Sequence, residues 1–244
     1  MLKAAYYLLI CIFYCPVAVA QFSDSTHYYL NASSSGNLNN TNTGHSYLLN
    51  NGLRFSIKKK KISLNASESW LYGKQDSNLT NNDFSSYLDF DFYPRSPKFY
   101  YWGLANYTTS YSLKINNQFQ TGLGIAYNFI DRENLRLNLS DGILYESSDL
   151  YINGEERDIY HTFRNSLRLV FKWSIKEVLV FEGTGFLQNS LQYKNDYIIR
   201  ANSSVSFKLN KWLSVGTTAT YNRFERTTRE NLLLSYGLIL EKYF

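Results

Sequence analysis

From Tyr197 to Leu209 the chain changes character at every step. Tyr197, Ile199, Ala201, Ser203, Val205, Phe207 and Leu209 fall on one side of an extended backbone, and Ile198, Arg200, Asn202, Ser204, Ser206 and Lys208 on the other. Period two is the side-chain period of a β-strand, and no helix can present it as one face. The same alternation recurs in twelve segments, at 26–36, 44–58, 61–74, 83–94, 98–110, 116–130, 134–146, 158–173, 177–191, 197–210, 212–224 and 231–244. No helical period competes after residue 20. The chain is therefore all-β, and the question is what buries so many apolar faces.

The first twenty residues bear on the answer. Lys3 gives a short basic start, Ala4 to Val19 carries no charge, and Ala18-Val19-Ala20 supplies small residues at a cleavage site. This reads as a secretory signal, with residues 21–244 as the exported domain. Both cysteines, Cys11 and Cys15, lie inside the signal, so no disulfide framework holds the exported part together. The charge balance, 25 Lys and Arg against 20 Asp and Glu, is too mild and too scattered for a nucleic-acid partner. No second apolar run approaches the ~18 residues of a spanning helix.

The connections complete the inference. Short links ("KKK" near 59–61, "PRSP" at 94–97, "DRE" at 131–133, "SIK" at 174–176, "NK" at 210–211) alternate with longer polar ones such as "GKQDSNLTNN" and "SSDLYINGEER". Each segment reaches the roughly nine to eleven residues that a tilted strand needs to cross a bilayer. Short turns at one end and longer links at the other describe a bacterial outer-membrane barrel. A soluble sandwich would show the alternation but not that sorting. The expectation is an antiparallel up-and-down transmembrane β-barrel of twelve strands, with membrane lipid around it and both ends on the periplasmic side. Phe244 then ends the closing strand, where a terminal aromatic resembles the signal read by the outer-membrane assembly machinery.

Several stretches between Tyr28 and Leu150 carry a family resemblance: "SSSGNLNNTNTG", "ISLNASESWLYGKQD", "KFYYWGLANYTTSY", "QTGLGIAYNFID" with Gly122 and Gly124, and "DGILYESSD". In that order they resemble the DUF481 family, small outer-membrane barrels sometimes described as salt-induced. The resemblance implies a barrel of uncharacterised role with a link to envelope or osmotic stress. It transfers no catalytic residue and no cofactor.

For chemistry, lipid hydrolysis at an outer membrane would need a serine and a histidine on the lipid-facing side. No His-x-Ser spacing on one strand face supplies them near the outer leaflet, and the chain is read as non-enzymatic, with no metal site. The lumen face is more informative. Arg54, Arg136, Arg164, Arg168, Lys172, Arg200 and Lys208 face inward by register, against Asp89, Asp91, Glu146, Glu182 and Glu241. Two outcomes follow. These charges pair and plug the barrel, because unpaired charges are costly in a narrow interior, or their basic excess lines a passage for a small anionic solute such as an acidic oligosaccharide. Glu68 and Asp141 fall on the lipid-facing side, which calls for a bulge or a position near a rim.

Overall fold

A computed structural model describes residues 27–42, 44–94, 98–152 and 156–243. The signal segment 1–20, the tip 95–97 of the Pro94–Pro97 turn and Phe244 lie outside the described residues. Twelve antiparallel strands follow one another around a closed barrel, each paired with its neighbours in sequence. They are β1 (Tyr28–Thr41), β2 (Gly44–Lys59), β3 (Ile62–Gln75), β4 (Asn78–Phe92), β5 (Phe99–Ser110), β6 (Ile115–Asp131), β7 (Leu135–Ile152), β8 (Glu156–Ile175), β9 (Leu179–Ser190), β10 (Tyr197–Lys208), β11 (Leu213–Phe224) and β12 (Arg229–Tyr243). β1 pairs with β12 and closes the ring. The start of β1 and the end of β12 therefore share one end, here called the near end.

The alternation sorts side chains as the sequence predicts, with an inverted solvent logic. Outward positions carry the large apolar residues: Leu53, Leu88, Leu123, Ile143, Leu167, Val205 and Leu238 are all exposed. Aromatic side chains ring this belt at two levels. Phe92, Tyr101, Tyr127, Phe171 and Trp173 lie toward the near end, and Trp70, Tyr107, Phe119 and Phe163 toward the far end. An exposed apolar belt of this extent is stable only against hydrocarbon, and aromatic girdles mark its two interfaces. A closed ladder also satisfies the strand backbone where no water is available.

The link lengths differ from expectation. At the far end β3 and β4 are joined by Asp76 and Ser77 alone, and the β7–β8 ladder climbs to Ile152–Glu156. What reads in sequence as long polar links is mostly strand. Beyond the apolar belt both faces of a strand meet water, so the hydrophobic alternation fades while backbone pairing continues. Of the two explanations for Glu68 and Asp141, a bulge or a position near a rim, the bulge is not found: the irregularities lie at Gly73/Lys74, Thr108/Ser110, Ile115/Asn117 and Asn128/Ile130. Both carboxylates face outward, and Asp141 accepts a bond from Asn165 Nδ2 at 2.8 Å.

Candidate functional site

Most of the buried polar residues among those described lie on the wall formed by β4 to β10. Gly124 and Gly142 face each other inside the barrel, and a Cβ at either would lie 2.5 Å from the Trp102 ring. The missing side chains let the indole lie flat on the wall, held by Nε1 donating to the Ile125 carbonyl at 3.1 Å. Arg168 sits over this ring at 5.5 Å from its centre and reaches across the lumen. Its Nη1 donates to Asp89 Oδ1 at 2.9 Å and to Tyr87 Oη at 3.1 Å, and its Nε to Ser140 Oγ at 3.0 Å.

A second, larger network lies toward the far end around Arg164 and Glu146, both wholly inaccessible. Arg164 grips the carboxylate with two parallel bonds, Nε to Oε2 at 2.7 Å and Nη2 to Oε1 at 2.9 Å. Such bidentate pairing is the strongest form an ion pair takes. Glu146 also accepts from Gln120 Nε2 at 2.6 Å, from Ser148 Oγ at 3.1 Å and from Tyr160 Oη at 2.5 Å. Arg164 Nη2 turns as well to Asp196 Oδ1 at 2.9 Å, which ties the link between β9 and β10 into the lumen. Above it Arg226, in the β11–β12 link, pairs with Asp196 at 3.3 Å and with Asp158. Its guanidinium is flanked by the rings of Tyr160 and Tyr193, at 3.8 and 4.6 Å. Toward the far mouth Arg164 and Arg226 are thus bound by Glu146, Asp196 and Asp158.

The other residues singled out in the sequence divide. Lys172 pairs with Glu182 at 3.6 Å, both about half exposed, and Arg136 pairs with Asp131 at 3.4 Å near the near-end rim. Arg200 meets amides instead of carboxylates, bonding Gln120 Oε1 at 3.3 Å and Gln118 Oε1, with its guanidinium over Phe224. Arg54 and Lys208 face the lumen by register and form no ion pair among the described residues. Asp89 pairs as expected. Asp91 does not: it is buried, and its Oδ1 has no hydrogen-bond partner. The side chain of Glu241 lies outside the described residues.

Sequence reasoning missed Asp196, Arg226 and Asp158 because they belong to links or strand ends, where periodicity says nothing about direction. Tyr160, Gln118 and Gln120 lie on the inward face by simple alternation and were open to the same reading that found Arg164. A cross-strand relationship also escaped. Ser147 stands directly opposite His161 on the outward face, and His161 Nδ1 lies 3.0 Å from Tyr145 Oη. No hydrogen bond joins the serine to the histidine among the described residues.

A family described as "Protein of unknown function, DUF481" matches residues 31–232, most of the chain. The chain belongs to the DUF481 family. No curated protein matches it. Among solved structures, this DUF481 barrel is similar to the NanC porin, at 9% identity and a TM-score of 0.53 over 88% of this chain and 99% of that one. It is also similar to the translocator domain of the autotransporter NalP from Neisseria meningitidis, at 12% identity, a TM-score of 0.52, and 88% and 87% of the two chains. A third is the COG4313 outer membrane channel from Pseudomonas putida F1, at 10% identity and a TM-score of 0.50 over 94% and 99%. At such identities the likeness establishes the outer-membrane barrel fold and transfers no activity.

Proposed function

We propose that this DUF481 protein is an integral barrel of a bacterial outer membrane, with its near end in the periplasm, that acts without catalysis and does not conduct ions steadily. The observation carrying this reading is the enclosure of Arg164 between Glu146 and Asp196, with zero side-chain exposure for Arg164 and Glu146. A water-filled path would leave such groups hydrated; here each has exchanged water for fixed partners. The family resemblance supports a place in the envelope's response to osmotic stress, for which growth of a deletion strain in high salt is the assay. Liposome swelling tests the closure: vesicles carrying the barrel should not swell in small sugars or anions, and rapid swelling would contradict it.

A second reading, passage of a small anionic solute, draws on the half-exposed Lys172 and on Arg54 and Lys208, lumen cations with no ion pair among the described residues. Swelling by an acidic oligosaccharide but not by its neutral counterpart would favour it. The lipid-modifying reading draws on Ser147 opposite His161, and release of fatty acid from phospholipid by the purified barrel is its test.

A further inference from the structure

The barrel wall is not closed to the same height all round. The β1–β2 ladder runs up to Thr41–Gly44 and the β11–β12 ladder to Phe224–Arg229. The β1–β12 ladder stops at Ser34–Leu238. Beyond that point residues 35–40 and 229–237 each keep a strand partner on one side, and no backbone pairing joins them across the seam. A cleft opens there between lumen and exterior. Ser35, Asn50 and Ser235 line its inner side; Gly36, Leu234 and Tyr236 line its outer side. Asn50 Nδ2 donates to Ser235 Oγ at 3.3 Å, reaching from β2 past β1 to β12.

The gap lies at the depth of the apolar belt. Its outer flanks hold some of the most exposed apolar side chains of the protein: Leu38 at 79%, Tyr236 at 71%, Leu232 at 66% and Leu234 at 65%. Strand edges facing hydrocarbon leave amide and carbonyl groups without partners, at several kcal/mol for each. Such edges are tolerated where they line a polar cavity, so the seam needs a polar occupant on its inner side and an aliphatic one outside. Arg54 stands on the same inward face of β2 as Asn50, separated by Gly52, which offers no side chain to shield it. It is a lumen-facing cation with no ion pair among the described residues.

We propose that the seam binds a single-chain anionic amphiphile of the fatty-acid class and gives it sideways passage between lumen and bilayer. The carboxylate lies among Asn50, Ser235 and the open strand edges, toward Arg54, and the chain runs past Leu234 and Tyr236 into the lipid. This is independent of whether the lumen conducts: swelling and conductance report on the network, labelling on the seam.

Photoactivatable palmitate, applied to the full barrel in nanodiscs, tests the assignment. Labelling should saturate, be competed by unlabelled palmitate, and map to β1 and β12. Residues 21–244 contain no cysteine, so Asn37→Cys with Ser235→Cys can lock the seam by oxidation or a short crosslinker. Locking should abolish the saturable label and reduction should restore it. Asn50→Leu, which needs no lock, should weaken palmitate labelling by about tenfold, one lost hydrogen bond to a charged group, and leave labelling by a photoactivatable alkane unchanged. Label spread evenly around the belt and indifferent to lock and variant would overturn the proposal. So would efficient intermolecular crosslinking of Leu38→Cys, which would place a second copy on the open edge.

Discussion

Arg168 on β8 donates to Asp89 on β4 at 2.9 Å, a chord across the lumen between strands separated by three others, with both side chains under a tenth exposed. A bond of this kind ties opposite walls together. It also turns the barrel's interior into its polar core while the apolar residues face lipid.

The first expectation concerns that core. Replacing Arg164 by alanine leaves Glu146 buried without its cation and Asp196 with Arg226 alone, a loss of about 3–5 kcal/mol. Lys172→Ala breaks a pair that water already screens and should cost about 0–1 kcal/mol. Urea unfolding in lipid vesicles, followed by tryptophan fluorescence, measures both. Equal losses would mean that the far-end network is hydrated.

Packing against Trp102 gives a second. A Cβ at Gly124 would lie 2.2 Å from the Asp141 carbonyl and 2.5 Å from the indole, whereas one at Gly185 meets nothing within 4 Å. Gly124→Ala should destabilise by about 1–3 kcal/mol through overpacking, and Gly185→Ala should stay within about 0.5 kcal/mol. The ratio of folded to heat-denatured bands on a gel reads the difference.

Topology gives a third. Lys194→Cys, in the far-end β9–β10 link, should react with a bulky impermeant maleimide on intact cells. Lys60→Cys and Lys211→Cys, at the near end, should react only after the outer membrane is opened. The opposite pattern would invert the barrel.

A fourth concerns assembly. The assembly-signal reading of Phe244 predicts that deleting it reduces the folded barrel in membranes more than deleting Gln21 and Phe22. Equal yields would remove Phe244 from that role.

The fold was largely legible because lipid imposes one rule on every strand. Phe84, Leu88, Phe90 and Phe92 face out and Tyr87, Asp89 and Asp91 face in, as alternation requires. Strand ends were not legible where hydrophobic alternation lapses: in β1 the stretch "SSSGNLNNT" runs on as strand against β2, and in β7 the stretch "ESSDLYI" runs on with Glu146, Ser148 and Asp149 hydrogen-bonded and Leu150 buried. The inward set of charges was readable, but its pairing was not. Arg164 and Asp196 come together only because the β9–β10 link folds inward, and Arg168 finds Asp89 across the barrel instead of on an adjacent strand. The open seam was invisible for a related reason. Period two describes a strand's faces and says nothing about how far its edge is paired.

On the proposed function, the Arg164 and Arg168 networks close the lumen and hold the wall. Single-barrel recording in planar bilayers, on the parent protein and on Arg168→Ala, tests it most directly when paired with unfolding of the same samples. The expected result is no steady conductance from the parent and a sharp loss of stability in the variant. Steady anion-selective current from the parent, with Arg168→Ala equally stable and less selective, would contradict it.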